Sequence, residues 1–209
     1  MAELAAGWVL LHHFLESPRE FNRCTVNDNR ASVMIDGGVD IAHRRAILSG
    51  ELPERIQAPE PFPRNEEWTI PEDVLLDILR EAWGIFQRDR MNEGSIHAAL
   101  ATATGIEVVA FDITAESAVA KVLGWCLMAE ELPSFEILIV NGPVTRAIVD
   151  AAVRVGVQII ATPFVPTANA YMTARVAGAN IIGYMRHATV GLFGGPGLVH
   201  FDDEVDADT

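Results

Sequence analysis

Lysine is nearly missing from this chain of 209 residues. Lys121 is the one example among fifteen basic side chains, against 29 Asp and Glu, for a net charge of −14. A protein that grips duplex nucleic acid needs a basic stripe to displace counterions, so nucleic acid is not expected as a partner. A single nucleotide held by backbone amides stays open. Cysteine is scarce too, with only Cys24 and Cys126, far apart. Two distant thiols cannot supply the four ligands of a structural zinc site, and they form no disulfide framework, which fits a cytoplasmic protein. No window approaches the roughly 20 uninterrupted apolar residues of a membrane span. The start, Met1-Ala2-Glu3-Leu4, has an acid and no basic segment, so no secretory signal is expected. The GxGxxG, P-loop, GxSxG and HExxH patterns are all absent, and the chemistries they carry are not announced.

What the chain does have is a repeating unit over residues 135–184. Glu136-Ile137-Leu138-Ile139-Val140 is a short apolar run rich in β-branched residues, ending at Asn141-Gly142-Pro143, as expected of a strand buried on both faces. Val144, Ile148, Ala151, Ala152 and Val155 then follow helical spacing, with Gly156 placed to end the helix. A second strand at residues 157–161, a helix opened by Pro166-Thr167 and ended by Gly178, and a third strand at 180–184 complete the pattern. Strand, helix, strand, helix, strand with short connections implies parallel neighbours joined by right-handed crossovers. The fold class is therefore α/β.

Residues 4–15 are helical in character, with Leu4, Trp8, Leu11 and Leu15 on one face. His12 and His13 are adjacent, so they point apart and suit a boundary better than a metal site. Two strands at 23–26 and 31–35 flank Asn27-Asp28-Asn29, residues that tolerate left-handed backbone. Prolines 53, 59, 61, 63 and 71 crowd the next stretch. The segment Pro59-Glu60-Pro61-Phe62-Pro63 cannot be regular structure and marks the best domain boundary. Three regions follow: an N-terminal lobe with a Pro-rich linker over 1–69, a main lobe over 70–200, and an acidic tail over 201–209. In the main lobe a helix begins after Pro71. An antiparallel pair spans 93–111, a helix covers 114–132 with Thr114 as candidate cap and Cys126 inward, and an edge strand lies at 190–193.

Three places suggest chemistry. His97 sits at a strand–loop junction, where it can donate to an anion or act in acid–base transfer; a core histidine held by backbone is an equal alternative. Asp112 and Glu116 lie at the carboxyl end of a strand, where α/β sheets bind ligands; a cap carboxylate is the plainer reading. Tyr184, Met185, Arg186, His187, Ala188 and Thr189 follow the last parallel strand, and Arg186 offers a guanidinium fork for phosphate. Asn141 and Thr162 line the same edge, and helix-end amides there suit phosphate. The order of elements suggests a cytidine-deaminase-like layered α/β/α lobe. Deamination itself is excluded, because its zinc ligand set is missing.

In order, GSIHAAL, FDITAESAVAKVLGW and the repeating unit through Arg186 resemble the formate dehydrogenase accessory protein family (FdhD/NarQ). His97 falls in the family's G-T-H-A-A-A slot, and Lys121-Val122-Leu123-Gly124 in its D-K-V-I-G slot. Ala152 with Gly156, Pro166-Thr167, and Gly183 with Arg186 match later motifs. The N-terminal ELAAGWVLLHHFLES and Arg44-Arg45 also resemble family segments, so the likeness runs from Glu3 to about Gly191. It implies a cytidine-deaminase-like lobe with a smaller N-terminal α+β lobe, often as a homodimer. It implies a sulfurtransferase that passes sulfur from a cysteine desulfurase to the molybdenum or tungsten bis-pterin guanine dinucleotide cofactor of the formate dehydrogenase catalytic subunit. In the family that cofactor binds at the loop matching residues 184–189, and a C-x-x-C loop after the R-R carries the persulfide.

This sequence departs from that pattern. Residues 45–52 contain no cysteine, and Ser49 cannot carry a persulfide, which needs an ionised sulfur nucleophile. The G-R-H-N signature reads Ala115-Glu116-Ser117-Ala118, and the S-G-R slot reads Asn141-Gly142-Pro143. Cations are lost and a carboxylate is gained. The expectation is an accessory protein that binds the cofactor or a guanine nucleotide without zinc and without relaying sulfur. The alternative is a non-catalytic structural or regulatory paralogue that binds a protein partner; a small-molecule enzyme on the same fold is a third option.

Overall fold

The computed structural model describes residues 1–15, 17–37, 68–88, 94–129, 136–183, 191–194 and 197–200. Six strands form the central sheet: β4 (Ile96–Thr102), β5 (Gly105–Asp112), β6 (Ile137–Val140), β7 (Ile159–Ala161), β8 (Asn180–Gly183) and β9 (Gly191–Gly194). Their order is β5-β4-β6-β7-β8-β9. β6, β7 and β8 are parallel, as the repeating unit requires, while β4 pairs antiparallel with both β5 and β6, and β9 closes the far edge antiparallel to β8.

The all-apolar strand β6 is explained by what lies on each side. Leu138 and Val140 face one core and Ile137 and Ile139 the other. On the first face pack α1 (Ala2–Leu11), α3 (Ala115–Leu127), α4 (Arg146–Arg154) and α5 (Ala168–Ala177). On the second lies α2 (Glu72–Arg88), with Leu75, Ile78, Leu79, Ala82 and Phe86 inward. Beside α2, β3 (Ile70–Pro71) pairs with β10 (Val199–His200), and both cover the same core. Each fully buried Leu or Ile in these clusters contributes about 1.5–3 kcal/mol.

Local signals set the element ends. The Thr114 hydroxyl accepts the Ser117 N–H at 3.1 Å and opens α3, and Gly178 ends α5 in the left-handed region at φ 68°. The hairpin of β1 (Phe21–Asn27) and β2 (Arg30–Ile35) turns through Asp28 at φ 51°. Helix α3 stops at Leu127 rather than 132, with Met128 as its C-cap. Residues 38–67, which carry the Pro-rich boundary, and the tail at 201–209 lie outside the described residues.

The N-terminal helix differs from what its apolar spacing predicts. It ends at Leu11, and Trp8, expected inward, is 43% exposed. The cause is a close helix crossing. A Cβ on Gly7 would land on the Ala120 carbonyl, and one on Gly124 would land on the Glu3 carbonyl, 2.7 Å from the Gly7 nitrogen. The backbones of α1 and α3 therefore touch. That contact turns Ala6, Gly7, Leu10 and Leu11 inward and leaves Trp8 outside, against His12 and Phe14.

Candidate functional site

The carboxyl ends of β5, β6, β7 and β8 and the start of β4 share one edge of the sheet. His97, Asn141 and Thr162 are all brought there, as the motif order requires. His97 opens β4 and is 3% exposed. Its ring lies on the α2 face, 5.2 Å from the Phe86 ring at 26° and 5.9 Å from the Phe111 ring. Its backbone is clamped by Asn141: the His97 N–H donates to Oδ1 at 2.7 Å, and the Asn141 N–H donates to the His97 carbonyl at 3.0 Å. Thr162 is held just as firmly. Its hydroxyl donates to the Gly142 carbonyl at 2.7 Å and accepts the Phe164 N–H at 3.2 Å. Asn141 and Thr162 thus brace the turns that follow β6 and β7. Gly142 is needed in the first of these turns, because a Cβ would meet Ile96 at 2.9 Å and Ala115 at 3.2 Å.

Lys121 is tethered rather than presented. Its ammonium lies 2.8 Å from an Asp112 carboxylate oxygen, donates to the Phe111 carbonyl at 2.8 Å, and sits 5.5 Å from the Phe111 ring centre. The Lys121 hydrogen bond, helped by the Ile113 N–H, holds the Asp112 carboxyl below the usual aspartate range. Thr114, not Asp112, caps the helix. Glu116 reaches across to α4, accepting the Thr145 hydroxyl at 3.2 Å.

Three helices open at this edge after sheet strands. The Thr114 and Thr167 side chains cap α3 and α5. Thr145 at the start of α4 supplies no side-chain cap, its hydroxyl being turned to Glu116. Among the described residues, α4 thus opens without a side-chain bond from its N-cap to the first-turn amides, at the positive end of a helix dipole.

A second polar cluster, which sequence reasoning missed, lies behind the edge. Arg154 is 3% exposed, yet its guanidinium donates to the Leu15 carbonyl at 2.5 Å, the Leu10 carbonyl at 2.7 Å and the Asp150 carboxylate at 2.7 Å. His13, with φ 56°, faces that carboxylate at 3.4 Å, while His12 lies against Trp8 and is pushed below its usual pKa chiefly by burial. Two opposite charges four residues apart inside the apolar run Ile148 to Val155 were the available signal.

Burial drives the Cys126 thiol up to about 12. The half-buried Cys24 is also raised, by burial first and Glu3 second. Among the described residues, no group of three or more His, Cys, Asp or Glu could hold a metal ion. No helix among them is long and apolar enough to cross a membrane. Tyr184, Met185, Arg186, His187, Ala188 and Thr189, with the cysteine-free segment 45–52, lie outside the described residues.

Residues 1–200 match the model of the FdhD/NarQ family. A sulfur carrier protein FdhD of Nocardia farcinica is 35% identical over 133 residues, covering 61% of this chain and 46% of that protein. Another, of Sulfolobus acidocaldarius, is 26% identical over 193 residues, covering 88% and 75%. The chain's match with the Nocardia protein thus spans about half of that relative's length. In three dimensions the fold matches the crystal structure of a candidate formate dehydrogenase accessory protein from Desulfotalea psychrophila. The TM-score is 0.71 at 20% identity, over 95% of this chain and 79% of that one. The chain belongs to the FdhD/NarQ family.

Proposed function

We propose that this chain is an accessory protein for the maturation of molybdenum or tungsten formate dehydrogenase. It holds the guanine nucleotide end of the bis-pterin guanine dinucleotide cofactor and does not itself relay sulfur. The observation that carries the nucleotide reading is the opening of α4, a helix of nine residues with no side-chain cap at the carboxyl edge of a parallel sheet. A phosphate there would accept first-turn N–H bonds and complement the dipole. Turns braced by Asn141 and Thr162 keep that opening in place, since neither can shift without breaking hydrogen bonds at 2.7 Å. Arg186, three residues beyond β8 in the sequence, is the guanidinium assigned to the phosphate.

Sulfur relay needs a thiolate near neutral pH, and both thiols are shifted the wrong way. When bound, the dinucleotide would supply the metal-coordinating dithiolenes of the client enzyme. The residues of this chain bind and orient its phosphorylated end.

Isothermal titration with guanosine diphosphate tests the binding. Saturable binding is expected, weakened roughly tenfold or more in Arg186→Ala through loss of a charge-assisted hydrogen bond. Glu116→Gln should tighten it, because a carboxylate beside the α4 opening repels phosphate. No heat of binding, or an unchanged affinity in both variants, overturns the reading. Incubation with a cysteine desulfurase and radiolabelled cysteine should leave the chain unlabelled. Labelling at Cys24 overturns the loss of relay.

A second reading, a regulatory paralogue that binds a protein partner, is favoured by Glu116 standing where the family resemblance implies cations. It predicts partner binding with no response to nucleotide.

A further inference from the structure

Charge is distributed unevenly along the chain. All 29 Asp and Glu lie before residue 151 or after residue 201; the 51 residues between contain none. That acid-free segment forms β7, α5, β8 and β9, one flank of the sheet. On a molecule of net charge −14 it is the flank that an acidic protein can approach without meeting carboxylates of its own segment.

This flank also carries an exposed apolar stripe. Helix α5 buries Ala170, Thr173, Ala174 and Ala177 against the core. On its opposite side Met172 is 41% exposed and Val176 50%, and Val165 just before the helix is 52% exposed. Within the helix the exposed Ala168, Met172 and Val176 fall four residues apart, along one side of its axis. The exposed cation Arg175 stands beside that line. An exposed apolar line along a helix, flanked by a cation and free of acids in its own segment, matches the complementary surface of one kind of partner.

We infer that the outer face of α5 is a docking surface for an acidic amphipathic helix on the client polypeptide. The partner's apolar residues would lie over Val165, Met172 and Val176, and its flanking carboxylates would meet Arg175. Because α5 opens at the carboxyl edge, directly after the Val144–Thr167 contact of the neighbouring turn, a client seated along it lies beside the nucleotide opening of α4. The identity of the client rests on the accessory reading above; the position of the surface does not.

Purified formate dehydrogenase catalytic subunit from the host is the probe, with binding measured by biolayer interferometry at low and high salt. Wild type should bind, and Met172→Glu and Val176→Glu should each weaken binding roughly tenfold or more. Arg175→Glu should weaken it most at low salt, where charge attraction is least screened. All three sites are exposed, so unfolding temperatures should stay close to wild type. Ser32→Glu on the exposed face of β2 controls for added charge alone. Failure of wild type to bind, or equal binding by all variants, overturns the inference. Two other results do so as well: capture by phosphatidylglycerol vesicles lost in Val176→Glu, or a wild-type dimer in light scattering that Met172→Glu makes monomeric. Guanosine diphosphate titration on the same samples separates this failure from failure of the nucleotide reading.

Discussion

At the scale of single residues, Arg154 is the side chain on which the first core most depends. Its guanidinium satisfies two carbonyls at the end of the N-terminal helix and one buried carboxylate. Arg154→Met would strand all three, and removing one member of a buried pair costs about 3–5 kcal/mol. Urea titration should show that loss, and Asp150→Asn in the Arg154→Met background should restore part of it. An unchanged denaturation midpoint would refute the clamp. Asp112 makes a milder, pH-dependent contribution. Its folded carboxyl is depressed, led by the Lys121 hydrogen bond, so its stabilisation is present above the ordinary aspartate value of 3.8 and lost as pH falls through the folded value. The gap in unfolding temperature between wild type and Asp112→Asn should therefore be largest near neutrality and close in acid. A gap that widened in acid would contradict the pairing. Lys121 lies in a family motif, but its bond to the Phe111 carbonyl ten residues away could not be read there, nor could those of Arg154 to the Leu15 and Leu10 carbonyls, 139 and 144 positions away.

At the scale of elements, the crossing of α1 and α3 sets where the N-terminal helix sits. Gly7 and Gly124 are required because backbone meets backbone, with no flexible side chain to yield. Gly124→Ala should therefore destabilise despite alanine's better helix propensity, which offers only about 1 kcal/mol in return. Calorimetry should show a fall of several degrees. Thr114→Ala should cost about 1 kcal/mol through loss of the α3 cap, and a neutral result would mean that Ser117 compensates. Helix and strand identities were largely legible here. Periodicity marked α2, α3 and α4, while Pro166-Thr167 and Gly178 bounded α5. Trp8 was misplaced because apolar spacing cannot reveal which face holds the closest contact; two glycines, carrying no hydrophobic signal, decided it.

At the scale of the whole molecule, an acidic chain folds so that one flank of its sheet comes from a segment without acids. The same fold gathers the ends of four strands and three helix openings on one edge. Acid-free composition is a property of the sequence, but only the strand order β6-β7-β8-β9 turns it into a continuous flank. Residues 184–189 and 45–52, where the family resemblance implies cofactor binding and a persulfide, lie outside the described residues.

The amino-acid order by itself determined the α/β class, the parallel run β6 to β8 and the absence of cysteine from residues 45–52, and its motif order carried the resemblance to the family. The α/β class and the parallel run follow from local periodicity, because strand and helix spacings are properties of neighbouring residues. The tertiary structure alone decided that Asn141 and Thr162 are spent on bracing turns and that Lys121 and Arg154 are already paired. It also decided that α4 opens without a cap, because hydrogen-bond partners distant in sequence are chosen only when packing brings them within reach.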